Sequence, residues 1–265
     1  MKVDRARRQV RLTDRDRELL AFMAEHRLIL PAHAQALLGV SASAAATRLR
    51  ALAGAGFVST RRIFHGQPAA HQITGEGLRA IGSELPQPRI DLRCYGHDVD
   101  LAWLWLSARG GGLGPLRAVL SERGLRSSDA RAASAATQGQ VPEPSGVRLG
   151  GTGPHGRPRL HYPDLVLVTP HGRRIAVELE LSTKGRVRRE QILAGYGSDA
   201  RVDAVLYLVK DAGIARSIQA SARRLGISSL VHVQWARSSQ PAVGAAAGAA
   251  RRRPPGREPA VQAAR

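Results

Sequence analysis

Four side chains in the second half of the chain stand at spacings that suit phosphoryl chemistry: Asp164, Glu178, Glu180 and Lys184. They lie in the stretch HYPDLVLVTPHGRRIAVELELSTK, residues 161–184. The apolar run 165–168 leads into a turn signal, Pro170-His171-Gly172, and a returning strand is predicted over 175–181. Side chains alternate across a strand, so Val177, Leu179 and Leu181 share one face and Ala176, Glu178 and Glu180 the other. Folding about His171-Gly172 brings Asp164 beside Glu178 and Glu180. Three carboxylates that close repel one another unless something compensates them. A hard divalent cation, Mg²⁺ or Mn²⁺, is the expected compensation, with Asp164, Glu178 and Glu180 as its ligands. Such a cation polarises a phosphate and lowers the pKa of an attacking water. Lys184 would then stabilise negative charge or orient that water, with Glu180 as a further base. The same residues also fit a solvated edge strand, with Asp164 merely capping a loop.

The elements that position these groups are predicted over residues 97–235. A helix over 97–108 would bury Val99, Ala102, Trp103 and Leu106, and a strand over 116–120 ends near Glu122. The segment 127–159, rich in Ala, Ser, Gly, Pro and Gln, is expected to be a long mobile loop. After the charged hairpin come a helix over 186–196, a strand over 202–209, a helix over 212–225 and a strand over 230–235. Arg186, Arg188 and Arg189 would face backbone phosphate or simply solvent.

Upstream, residues 12–82 read as three short helices, a hairpin and a fourth helix. Thr13 caps the first helix with Asp16 three residues on, Pro31 opens the second and Gly39 closes it, and Ser41 or Ser43 caps the third. The strands 57–63 and 71–73 flank His65-Gly66-Gln67-Pro68. This is the order of a winged helix-turn-helix, whose third helix enters the major groove. Its outward residues here are Ser43, Thr47, Arg48 and Arg50, and the wing offers Arg61 and Arg62 to phosphates. The alanines at 42, 44, 45 and 46 make base readout thin, because alanine forms no bidentate bonds. Residues 83–96, with Pro86 and Pro88, read as a linker, residues 1–11 as a basic arm and 236–265 as a disordered basic tail.

Composition agrees with a nucleic-acid partner. The formal net charge is +19 over 265 residues, which favours polyanions through phosphate contacts and counterion release. Only 4% of residues are aromatic, so stacking on bases is a minor element. The single cysteine, Cys94, allows no internal disulfide and no cysteine-built zinc site. No apolar leader or membrane-spanning run is visible, so a cytoplasmic location without membrane contact is expected. No G-x-x-x-x-G-K-[ST] pattern supports ATP-driven chemistry.

Residues 97–235, through Pro163-Asp164 and Glu178-Leu179-Glu180, resemble the PD-(D/E)xK nuclease superfamily. The resemblance implies an αβββαβ restriction-endonuclease-like domain in which Asp164 and Glu178 bind a divalent metal. The sequence departs from the pattern at position 180, where Glu stands in place of Lys, and Lys184 would have to reach in from beyond the strand. Gln191 and Tyr196 echo a helix motif of some exonucleases at a different spacing. Residues 12–235 are also similar to the replication-relaxation family of actinobacterial plasmids and integrated elements. The carrying residues are LTDRDRELLAFMAEHRLI, ATRLRALAGAGFV, His97-Asp98, Ser121-Glu122-Arg123 and PDLVLV…IAVELELSTKGRVRREQIL. That resemblance implies work in replication and relaxation of plasmid DNA.

The fold expected is therefore α+β and α/β: a winged helix-turn-helix followed by the nuclease-like domain. The function expected is DNA binding on a mobile element, with a metal-dependent endonuclease or nickase activity. The alternative is a catalytically inactive nuclease fold, serving as a DNA-binding replication accessory factor or transcriptional regulator. DNA is the expected partner. A second copy of the chain and other replication or transfer proteins are further candidates.

Overall fold

The computed structural model of the chain describes residues 11–135 and 143–236. All but the first residue of the expected basic tail and all but the last residue of the basic arm lie outside the described residues, as do residues 136–142 of the insertion. The fold is mixed α+β, with eight α-helices and a mixed central sheet among the described residues.

The N-terminal third follows its local signals closely. Helix α1 (Asp14–Glu25) starts at a reciprocal cap in which Thr13 N–H donates to Asp16 Oδ2 at 2.7 Å and Asp16 N–H to Thr13 Oγ1 at 3.3 Å. Helix α2 (Pro31–Leu38) opens on its proline and ends at Gly39, where φ of 62° is the left-handed conformation that glycine tolerates. Helix α3 (Ala42–Gly54) is capped by Ser41. Strands β1 (Val58–Arg61) and β2 (Ala70–Ile73) pair antiparallel, and Thr74 caps α4 (Gly75–Ala80). An extra bridge ties Ile29, between α1 and α2, to His71 in β2.

Helix α5 (Tyr95–Arg109) joins the two halves. Its Trp105 ring lies 5.1 Å from Phe22 of α1, and Trp103 lies 4.3 Å from His33 of α2. Leu101, Leu104 and Trp105 share one continuous apolar core with Leu19, Phe22 and Leu49 on one side and with sheet residues Leu165, Val177 and Leu179 on the other. The segment 83–96 is not a free tether. Pro86 O accepts from Arg123, and Pro88 O accepts from Gln72 at 3.4 Å.

The central sheet runs β3 (Ala118–Ser121), β6 (Leu165–Val168), β7 (Arg174–Glu180), β8 (Ala204–Val209), β9 (Val231–Trp235), with those neighbours bonded in that order. The first three strands are antiparallel; β7, β8 and β9 are parallel. Helices α7 (Arg186–Ser198) and α8 (Ala212–Arg224) cover the face carrying Ala176, Val205 and Tyr207, and α5 covers the other.

The expected loop over 127–159 is largely structured, which corrects the sequence reading. Residues Glu122–Ala135 form α6, and β4 (Val147–Thr152) pairs with β5 (Pro158–His161) in a separate two-stranded sheet. Alanine and arginine are strong helix formers, and Leu125 gives α6 a buried anchor. Val147 and Leu149 supply the hairpin with an alternating apolar face that fills the core beneath α7. Asp129 of α6 fastens the returning chain by accepting Ser145 N–H at 2.8 Å, Gly146 N–H at 3.3 Å and the Tyr162 hydroxyl at 2.9 Å.

Two predictions follow from packing in the N-terminal third. A Cβ at Gly77 would stand 2.3 Å from the Phe57 carbonyl oxygen and 2.7 Å from Ile73 Cγ1, so α4 can meet the hairpin only through glycine. Gly77→Ala will cost about 1–3 kcal/mol in urea unfolding, the usual cost of overpacking. Burial also holds the His26 imidazole down to about 3 and that of His33 down to about 4, from an ordinary 6.5. Both rings stay neutral in the folded chain while the unfolded chain takes up protons, so their contribution to stability is full above pH 6.5 and falls below it. The loss reaches about 1.4 kcal/mol per pH unit for each ring. Unfolding measured at pH 7, 6 and 5 will show this decline, and His26→Phe will make it shallower by one proton. An unaltered slope in that variant would exclude His26 as a source.

Candidate functional site

The β6–β7 pairing sets the site. Leu165 stands opposite Val177, so Asp164, one residue before β6, faces the 178–179 step of β7. Its Oδ2 accepts the Leu179 N–H at 2.8 Å. The edge-strand alternative is ruled out. β7 is the central strand of five, and Glu178 and Glu180 are 2% and 3% exposed.

Each carboxylate meets a side chain able to carry positive charge. Glu178 Oε1 lies 2.6 Å from His161 Nε2 at the end of β5 and also accepts the Tyr196 hydroxyl of α7. Lys184 Nζ donates to Glu180 Oε2 at 2.6 Å and lies 3.8 Å from Glu178 Oε2. Arg189 fixes the lysine's backbone, donating to Lys184 O at 2.6 Å while its other nitrogen donates to Ser217 Oγ at 2.6 Å. His97 of α5 places Nε2 3.1 Å from Asp164 Oδ2 and Nδ1 3.9 Å from Asp98 Oδ1. Arg27 continues the chain of charges, reaching Asp98 at 3.2 Å and Glu122 at 3.0 Å.

Proton affinities follow from these contacts. Burial opposes a charged His97, yet its bonds to Asp164 and Asp98 outweigh burial and push it up to about 10, so the ring is an imidazolium at neutral pH. Burial pushes Glu178 upward, but His161, Lys184 and Tyr196 together hold it below the ordinary glutamate value. Glu180 is raised by burial, against the pull of Lys184 and helped by the charge on Glu178. Burial works against the Lys184 ammonium, and Glu178 and Glu180 more than offset it.

The expected gathering of three carboxylates around one cation is not formed. Glu180 is taken by Lys184, and among the described residues no group of three or more His, Cys, Asp and Glu side chains is arranged to hold a metal ion. What remains adjacent is the pair Asp164 and Glu178. Magnesium commonly takes one or two carboxylates and completes its shell with water and substrate phosphate.

The residues expected to touch DNA divide into two groups. Ser43, Thr47 and Arg50 lie exposed on α3, Arg61 and Arg62 lie exposed at the β1–β2 hairpin, and Arg186 and Arg188 lie exposed at the start of α7. Arg48 and Arg189 do not belong with them. Arg48 is bound through Nε and Nη2 to the buried Asp16 carboxylate and locks α3 onto α1. Arg189 is buried behind Lys184. Glu122 opens α6, paired with Arg27 and Arg126. His97 and Tyr196 enter the sequence reading only through resemblances and His161 only as the start of the hairpin stretch, because each comes from an element outside the β6–β7 hairpin.

No family model, no curated protein and no solved structure matches the chain. Among the described residues, no helix is long and apolar enough to cross a membrane.

The Lys184 contacts are open to test. Removing a cation from two buried carboxylates is destabilising, by about 3–5 kcal/mol when the pair is fully buried. Lys184 is 37% exposed, so Lys184→Met will cost less, about 1–3 kcal/mol. Adding Glu180→Gln will recover part of that loss. Thermal unfolding of the two single variants and the double variant measures the coupling, and a value near zero would show the contact to be idle.

Proposed function

We propose that this chain is a DNA-binding protein in which a winged helix-turn-helix brings a PD-(D/E)xK-type site onto a phosphodiester backbone. Its place is replication or relaxation of the DNA of a plasmid or integrated element. Support for the first module is the order α1, α2, α3, β1, β2, with exposed Ser43, Thr47 and Arg50 on α3 and exposed Arg61 and Arg62 on the hairpin. Support for the second is an αβββαβ order, from α5 through β8, once α6 and the β4–β5 hairpin are set aside as an insertion.

The observation that carries the proposal is the position of Lys184. Its ammonium lies between Glu178 and Glu180, 3.8 and 2.6 Å from their oxygens. A lysine beyond the strand thus delivers its charge to the place where the nuclease pattern lacks one at position 180. In this reading Asp164 and Glu178 hold Mg²⁺ or Mn²⁺ together with a substrate phosphate. The bound metal would supply Lewis-acid polarisation of that phosphate and a more acidic water. Lys184 sets a fixed positive charge where negative charge develops, and burial strengthens its effect. His97 holds Asp164 in place, and His161 and Tyr196 hold Glu178.

A second reading rests on those same bonds. His97 already stands against Asp164, and Lys184 against both glutamates, so the chain balances its acids with its own cations. That favours a binding protein, a replication accessory factor or regulator, without hydrolysis.

Supercoiled plasmid separates the two. With Mg²⁺ or Mn²⁺ the wild type is expected to nick it, and Asp164→Asn and Glu178→Gln will each slow nicking by about 100-fold or more, the scale of losing one charge-stabilising group. Retained DNA binding with no nicking in either metal would establish the second reading.

A further inference from the structure

We infer that the β4–β5 hairpin is a second phosphate-binding arm that grips the DNA backbone beside the Asp164–Glu178 site, independently of the N-terminal module. The inference rests on the DNA-binding reading above and adds a contact surface to it. From 144 to 163 the chain carries no Asp or Glu, while Arg148, Arg157 and Arg159 are all exposed. The side chains of the three make no ion pair or hydrogen bond among the described residues. Arginines that hold the fold behave otherwise: Arg27, Arg48, Arg126 and Arg201 each clasp a carboxylate. An unpaired, exposed guanidinium in an acid-free stretch keeps its charge and its donors for an outside anion.

The arm is mounted on the site. His161, the last residue of β5, touches Glu178 Oε1 at 2.6 Å. Arg159 precedes it by two residues and therefore leaves β5 on the same side as that ring. The mounting is rigid. Val147 and Leu149 are buried with Ile192 and Tyr196 of α7, and α7 approaches so closely that a Cβ at Gly195 would stand 2.7 Å from Arg148 O. Farther out, Gly150 and Gly151 take φ of 73° and 66° where the β4–β5 register shifts, a kink that other residues adopt only with strain. Arg148, opposite Leu160, leaves the other face of the hairpin from Arg159, so this stiff, kinked strand pair offers guanidinium groups to a phosphate backbone on both faces, beside a buried site carboxylate.

The test uses the full chain and a short DNA duplex of random sequence, with affinity read by fluorescence anisotropy across a salt titration. Wild type will show the steep salt dependence of phosphate binding. Arg148→Ala/Arg157→Ala/Arg159→Ala will bind more weakly and lower the slope of log K against log salt by about 2 to 3, roughly 0.9 per lost contact. Arg61→Ala/Arg62→Ala will lower it separately, and the combined variant will show both losses. Lysine at the three hairpin positions will restore the slope, and far-UV circular dichroism will match wild type because the side chains are exposed. A triple-alanine variant with the wild-type slope would overturn the arm while leaving DNA binding by the N-terminal module standing. A wild type without salt-dependent binding would overturn both.

Discussion

The site depends on one interaction: the carboxylate of Glu178, buried in the central strand of the sheet and balanced by groups from three other segments. An ionised carboxylate far from water is costly unless it is paired and hydrogen-bonded. Glu178 is 2% exposed, and its partners are His161 from β5, Tyr196 from α7 and Lys184 from the turn after β7. Each partner must be in place for the others to be worth burying. The need to neutralise one side chain thereby fixes the hairpin, the helix and the turn around the end of β7. It also explains why an alternation of apolar and acidic residues can sit inside a sheet rather than at its edge. The apolar positions face α5, and the acidic ones face a ring of donors.

Helix α5 makes the second constraint. Apolar side chains around it serve two partners at once, Trp103 and Trp105 against α1 and α2, and Leu101 and Leu104 in the core shared with the sheet. Neither half then has a wholly separate core, and the geometry between the exposed face of α3 and the carboxylates is set by packing rather than by a tether. The charge chain from Arg27 through Asp98 and His97 to Asp164 runs along this same seam. A displacement of α1 relative to α5 would break the Arg27 contact and leave Asp98, 3% exposed, with one charge partner fewer.

Much of this was legible in the sequence because it is local. Caps, prolines and glycines mark α1 to α4 to within a residue or two, and the Pro170-His171-Gly172 turn sets the register that places Asp164 beside Glu178. Partners distant in sequence were not legible. Nothing near Arg48 announces that its guanidinium belongs to Asp16, or near Glu180 that Lys184 will claim it before a metal does. The insertion was misread for a related reason. Its composition is poor in large apolar residues, yet two anchors within it, Val147 and Leu149, and two that flank it, Leu125 and Tyr162, suffice because the core of the sheet domain lies ready beneath them. Propensity describes what a segment does alone, and this segment does not fold alone.

The same distinction changes how the net charge of +19 is understood. Summed over the chain it says only that a polyanion is attracted. Sorted by contact, it separates into two populations. Arg27, Arg48, Arg126, Arg201 and Arg224 are spent on carboxylates inside the fold. Arg61, Arg62, Arg148, Arg157, Arg159, Arg186 and Arg188 are exposed and pair with no described acid. These seven come from three places, the β1–β2 hairpin, the β4–β5 hairpin and the start of α7, while other exposed arginines without an acid partner among the described residues, such as Arg15, Arg89, Arg117, Arg216 and Arg223, lie elsewhere on the surface. The β4–β5 hairpin and the start of α7 adjoin the Glu178 site, one through His161 and the other through Lys184 and Arg189. Five of the seven, Arg148, Arg157, Arg159, Arg186 and Arg188, thus stand on the two elements that adjoin the buried Glu178 carboxylate.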